Sequence, residues 1–343
     1  PIYIDKGKGS RIFDVDGNSY IDYWLGGGPL ILGHSNPKIV DAIRGQIDSG
    51  THYWAGTELL VELAEQVSKL VPSVEKVKFD CSGTLAIMHS IRLARGYTGR
   101  EKILRFEGQY HGVFDEGLVG YTTPQAALGM KNKPNKVPDS AGIPQSALDN
   151  VLVAPWGDQD MVQRMIEDHK HELAAVLTQP IPSSLAIWPP NKKFVEFLRK
   201  VTKENGILLV FDCVINGFRV ALGGGQEVLG VAPDLSVFAK ALGGGVPIAA
   251  FGGKAEIMDC IGSGKVMHAG TLNANPMCLA ASRACLTELQ SGALKHVQDV
   301  GSSLMNGVRD LIQDTHASAI VQGLPAEFTF ILTHLQRIEH YRD

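Results

Sequence analysis

The chain has 343 residues, 44% of them hydrophobic, which is enough to bury a large core and exceeds the usual single domain. A net charge of −4 excludes a general attraction to nucleic acid or anionic membrane, and no apolar stretch approaches the ~20 residues that span a bilayer. Five cysteines, Cys81, Cys213, Cys260, Cys278 and Cys285, are an odd number without CxxC spacing, which points to reduced thiols and a cytoplasmic setting rather than a disulfide framework.

In chain order, the first feature is a hairpin turning at Asp16-Gly17. The chain starts at Pro1 without Met and so looks truncated at that end, which leaves a leader peptide untested. From Val74 to Phe251 strands and helices alternate, which predicts an α/β fold with a mainly parallel sheet and helices on both faces. Val74 to Phe79 reads as a strand, and Leu85, Met88, Ile91 and Ala94 recur at helical spacing, so Ser82-Gly83-Thr84 lies at a helix N-terminus. Such a terminus can be an ordinary cap or an anion site, because free N–H groups and the positive end of the helix dipole converge there. Strand Ile103 to Phe106 leads into Glu107-Gly108-Gln109-Tyr110-His111-Gly112, where Tyr110 can stack on a planar ligand or simply pack.

Between Thr123 and Ser146 four prolines and no periodicity predict a long loop, read here as a mobile lid. His169-Lys170-His171 lacks accompanying metal ligands and reads as a solvated helix face. A helix over Phe194 to Asn205 ends at Gly206, and a longer one over Leu294 to Thr315 follows the alternating region. Gly7-Lys8-Gly9 and Gly223-Gly224-Gly225 lack the strand-GxGxxG-helix setting of a dinucleotide site.

The chemistry rests on two residues, Asp212 and Lys240. Asp212 ends the apolar run Ile207 to Phe211, where ligands of open α/β sheets gather, and Lys240 follows it by 28 residues. A lysine for a Schiff base and a carboxylate to keep a pyridine nitrogen protonated are the needs of pyridoxal phosphate. Taken singly, the aspartate can be a helix cap and the lysine a solvated surface residue. Cys213, beside Asp212, reads as a buried inert thiol.

With these motifs, Phe13-Asp14-Val15-Asp16-Gly17-Asn18-Ser19-Tyr20-Ile21-Asp22-Tyr23, Leu32-Gly33-His34-Ser35-Asn36-Pro37, Ile91 to Arg100, Pro233-Asp234-Leu235 and Gly270 to Pro276 complete an ordered match. The chain resembles a class III aminotransferase of fold type I, nearest the glutamate-1-semialdehyde aminomutase branch. The resemblance implies pyridoxal 5′-phosphate on Lys240, Asp212 against the pyridinium, and Ser82, Gly83 and Thr84 on the phosphate. It also implies Tyr110 and Val214 on the two ring faces with His111 in the same set, and a homodimer in which Thr271 reaches the phosphate of the partner subunit. It further implies residues 1–50 as the N-terminal part of a small α+β domain, 51–290 as the cofactor domain and 291–343 as the start of a C-terminal part that the family continues. Leu85, Cys213, Gln179 and Ser184 depart from the family pattern, three of them in place of carboxylates. The expectation is an active enzyme of altered specificity that transfers nitrogen between molecules, with aminomutation as the alternative. A non-catalytic nucleotide-binding α/β protein is the remote alternative; it has no need of Lys240.

Overall fold

The N-terminal residues form an antiparallel sheet of β1 (Ile4–Lys8), β2 (Arg11–Asp14) and β3 (Ser19–Ile21). The turn falls where Asp16-Gly17 predicts it: Gly17 takes a φ of 87°, and the Asp14 carboxylate accepts the N–H groups of Asp16 and Asn18 at 3.1 and 2.8 Å. The computed structural model describes residues 2–343. Helices α1 (Pro37–Ser49), with Asn36 as its cap and Pro37 in its first turn, and α2 (Glu58–Leu70), capped by Thr57, lead to the central sheet.

The alternating region runs β4 (Lys76–Asp80), α3 (Gly83–Thr98), β5 (Lys102–Phe106), a small hairpin of β6 (Gly129–Met130) and β7 (Lys133–Pro134), α4 (Gln145–Asp149), β8 (Val151–Ala154), α5 (Gln159–His169) and β9 (Leu173–Thr178). It continues with α6 (Lys192–Glu204), β10 (Leu208–Asp212), α7 (Gly225–Leu229), β11 (Leu235–Phe238), β12 (Ala249–Gly253), α8 (Ala255–Gly262) and α9 (Pro276–Glu288). The long α10 (Leu294–Thr315) and the hairpin of β13 (Ala319–Leu324) and β14 (Glu327–Leu332) complete the chain's elements.

Seven strands pair in the order β4-β12-β11-β10-β9-β5-β8, with β12 alone antiparallel to its neighbours. Burial on both faces explains why β10 has no polar alternation: Leu209 and Phe211 join the core on one side, Leu208 and Val210 the core on the other. The carboxyl ends of β4, β5, β10 and β11 all open toward the loops that carry the motifs, the usual ligand edge of an open sheet.

The segment from Thr123 to Ser146 differs from the expected free loop. It contains the β6–β7 hairpin, the Asp139 carboxylate accepts from the N–H groups of Tyr121 and Thr122, and Tyr341 donates to the Thr123 carbonyl at 2.8 Å. Arg342 donates to the carbonyls of Gly129 and Leu128 while pairing with the buried Glu107 at 2.6 Å. Periodicity is blind to such bonds, because they join residues distant in sequence. The loop is braced against the chain's last residues rather than free above the site. Among the described residues no helix is long and apolar enough to cross a membrane.

Candidate active site

Ser82 caps α3 by accepting the N–H of Leu85 at 3.3 Å, which leaves the N–H groups of Gly83 and Thr84 in the first turn for an anion. At Gly83 a Cβ would lie 3.2 Å from Val214 Cγ2, so the bare backbone keeps the cup open beside that side chain. Leu85 is partly exposed on the same turn.

Asp212 ends β10 and is buried. Its Oδ1 accepts the N–H of Val214 at 3.0 Å and its Oδ2 accepts from His111 Nδ1 at 2.7 Å. Burial pushes the His111 pKa down, and the bond to Asp212 only partly opposes this, so the ring is neutral with its proton on Nδ1. His111 Nε2 is then a buried acceptor with no partner. Lys240 follows β11 in a left-handed conformation, φ 43°, costly for a residue with a Cβ and a recurrent mark of functional sites. Burial lowers its pKa, opposed by the Asp212 charge. The amine is thereby shifted toward its nucleophilic neutral form.

Ser82, Gly83, Thr84, Tyr110, His111, Asp212, Val214 and Lys240 all line one cavity of about 420 Å³, within the roughly 300–1,000 Å³ of small-molecule sites. Thr271 does not; it is exposed on the loop before α9. Gln179 also lines the cavity, and here the departures from the family pattern acquire a structural account. Its amide donates to the Tyr110 carbonyl at 2.9 Å and to Ser184 Oγ at 2.6 Å, while Ser184 Oγ accepts the Tyr110 N–H at 3.0 Å. A glutamate could not donate those two bonds, so glutamine and serine together clamp the Tyr110 backbone without charge. Cys213 is a buried free thiol whose pKa burial raises well above the ordinary value, which leaves it inert.

Three features escaped the sequence reading. Arg105, inside β5, is fully buried and donates to the carbonyls of Gln109, Glu116 and Gly117, so it shapes the loop that carries Tyr110 and His111. Burial lowers its pKa to about 10, still charged at neutrality. An arginine within the run Ile103-Leu104-Arg105-Phe106 was the available signal. Asp80, below the cup, accepts from His89 at 2.9 Å, His268 at 3.1 Å and Asn273 at 2.8 Å, bonds that hold its pKa low against burial and tie β4 to the Thr271 loop. The third is Glu327, buried at the start of β14.

The model of the family Aminotransferase class-III matches residues 1–328. The chain belongs to this class III family. It is 46% identical over 312 residues to a glutamate-1-semialdehyde 2,1-aminomutase 2 of Brevibacillus brevis, covering 90% of this chain and 71% of that protein. An omega-transaminase structure from Sphaerobacter thermophilus superposes with a TM-score of 0.94 at 38% identity, over 98% of this chain and 77% of that one. A structure described as a transaminase with PLP bound gives a TM-score of 0.89 at 30% identity, over 96% of this chain and 77% of that one. This class III enzyme uses pyridoxal 5′-phosphate. The cavity fits that cofactor by its donor set: a helix N-terminus with two hydroxyls for a phosphate, a buried carboxylate for a ring nitrogen, and an amine for an aldehyde.

Proposed function

We propose that this class III enzyme is an aminotransferase that moves an amino group between an amine or amino acid and a keto acid or aldehyde, with Lys240 as the cofactor-bearing amine. The observation that carries the reading is the chamber of about 930 Å³ beside Lys240. Its wall is mostly apolar, with Trp24, Ile215 and Phe328, and its charged residues are Arg219, Glu327 and Lys240 itself. Arg219 donates to the carbonyls of Ala326 and Gly28, and the buried Glu327 stands near it. Among the described residues of this wall the arginine is tied to backbone carbonyls, and the one acid, Glu327, would meet a carboxylate such as that of glutamate-1-semialdehyde with like charge. Aminomutation is the second reading, favoured by the 46% identity to an aminomutase.

When bound, pyridoxal phosphate supplies an aldehyde that captures amines and a ring that accepts electrons. Ser82, Gly83 and Thr84 would hold the phosphate, and Tyr110 and Val214 would confine the ring. Asp212, oriented by its bonds to His111 and Val214, would face the ring nitrogen and hold its proton. Lys240 would hold the cofactor aldehyde, and its Nζ, with a pKa lowered by burial, would serve as the general base that moves a proton at the substrate carbon.

The reading extends to a homodimer. Trp54 and Met267 are 84% and 72% exposed on neighbouring loops joined by the Asn275 to Thr51 bond, and apolar surface of this kind marks interfaces. Thr271, exposed on the same loop as Met267, is then free to serve the phosphate of the partner subunit. Residues 51–290 act as the cofactor domain, with 1–50 and 291–343 contributing to a small domain. The five free thiols support work in the cytoplasm.

Borohydride reduction should fix the cofactor on Lys240, read by peptide mass analysis. A nitrogen-15-labelled donor given with an unlabelled keto acid or aldehyde should deliver label to the acceptor skeleton. Conversion of glutamate-1-semialdehyde to 5-aminolevulinate without transfer to other acceptors overturns the reading.

A further inference from the structure

Glu327 is a buried acid that the mechanism above does not use. It opens β14 directly after the Pro325-Ala326 turn, and that turn approaches α10 so closely that any side chain at Gly301 would collide with the Pro325 carbonyl. Packed there, Glu327 is 7% exposed, and both its carboxyl oxygens are buried without a hydrogen-bond donor. Buried polar groups in folded proteins are almost always paired, and an unpaired carboxylate is among the costliest exceptions.

Its neighbours are otherwise engaged. Arg219 gives its N–H groups to Ala326 and Gly28, and no Arg219–Glu327 ion pair forms among the described residues. The Ser183 hydroxyl turns to the Ile181 carbonyl at 2.8 Å. The groups facing Glu327 are Arg219 on the loop after β10, Lys240 after β11, and the Cys213 thiol, which stays protonated. Burial pushes Glu327 up to about 7, and the nearby Ser183 hydroxyl, then Arg219 and Lys240, only partly oppose it. Glu327 and Lys240 nevertheless belong to the wall of one chamber, whose remaining surface is mostly apolar.

We infer that Glu327 is the binding site for a second, cationic amino group on the amine donor. The substrate class is therefore an α,ω-diamine, or a comparable amine with a hydrocarbon spacer and a distal ammonium. One amino group reacts at Lys240, the spacer lies along Trp24, Ile215 and Phe328, and the distal ammonium supplies the donors that Glu327 lacks. A distal carboxylate would meet Glu327 with like charge, so ω-amino acids are poor donors. This inference rests on the transamination reading and names the substrate of that same site. Because a bound cation favours the ionised carboxyl, diamine binding releases a proton near neutrality, and affinity rises with pH through about 7.

The test compares butane-1,4-, pentane-1,5- and hexane-1,6-diamine with monoamines of equal length in the amine half-reaction of the holoenzyme, followed by cofactor absorbance. At least one diamine should exceed its monoamine in kcat/KM by about 10- to 150-fold, the worth of a hydrogen bond to a charged group, and in Glu327→Gln that ratio should fall to about one. A ratio near one in the unaltered enzyme, or a ratio unchanged in Glu327→Gln, overturns the inference. Calorimetry on Lys240→Ala, which cannot turn over, separates the two claims. Diamine binding should release a proton there and cease to do so in the Lys240→Ala, Glu327→Gln double variant. If that holds while neither amine type drives the half-reaction, the transamination reading falls and the Glu327 site stands. If monoamines drive the half-reaction but diamines bind no better, the site falls and transamination stands.

Discussion

The cofactor cavity and the chamber beside it share Lys240, yet they are built in opposite ways. In the first, Asp212 is bonded to His111 and Val214, Gln179 and Ser184 hold Tyr110, and Arg105 holds the loop below. These parts sit at the carboxyl ends of buried parallel strands. The chamber is walled by the N-terminal segment, α10 and the β13–β14 hairpin, largely apolar, and it contains an acid with no donor. On the proposed reading, reaction chemistry that must be held within a fraction of an ångström rests on the rigid sheet, while substrate choice falls to peripheral elements that can change without disturbing it.

The contrast is tested most severely by Lys240→Ala. Removing the base should reduce turnover by about 10⁴-fold or more, with the fold retained by circular dichroism. Residual turnover within tenfold of the parent would dissolve the distinction between the two regions.

In the chamber, the largest effect is on stability. An unfolded glutamate ionises near 4.5, whereas Glu327 in the fold does so at about 7, so the native state holds the proton more tightly. Its contribution is complete below the lower value and is lost as pH climbs through the higher. Glu327→Gln cannot ionise, and should therefore be more stable than the parent by about 3 kcal/mol above pH 7 and no more stable below about 4.5. Denaturant melts at the two extremes measure this; an advantage independent of pH would mean that the carboxyl is not desolvated.

Thr271→Ala addresses the cavity from across the proposed interface. Cofactor affinity should weaken by about 1.5–3 kcal/mol, read by titration of the apoenzyme, and an unchanged affinity would confine the cup to one subunit. The smallest expected effect is that of Phe330→Ala. This chamber ring is 50% exposed, so stability should change by less than about 0.5 kcal/mol, while KM for apolar amines rises by roughly fivefold. Equal losses for polar and apolar amines would deny the ring a role in the chamber.

Much of the cofactor cavity is legible in the chain because its signals are local. Asp212 at the end of an apolar run, Ser82-Gly83-Thr84 between a strand and a helix, and Lys240 after the next strand each follow from the elements that carry them, and eight of the nine cofactor residues expected from sequence line one cavity. The helices over Lys192–Glu204 and Leu294–Thr315 and the Asp16-Gly17 turn likewise follow from spacing and turn chemistry. The bracing of the Thr123 to Ser146 segment is not local: Tyr341 and Arg342 come from more than two hundred residues away.

By itself, then, the order of residues determined the alternating sheet, the family and a set of groups that line one cavity, because strand and helix periods and turn residues act over a few positions. Tertiary structure decided the rest. Nothing in the spacing marks Glu327, which is buried because Gly301 lets its turn pack on α10, and Gln179 reads as a lost acid until its amide reaches Tyr110 and Ser184. The reason is physical: desolvation and hydrogen-bond pairing depend on which distant atoms surround a group, and sequence spacing carries no record of them.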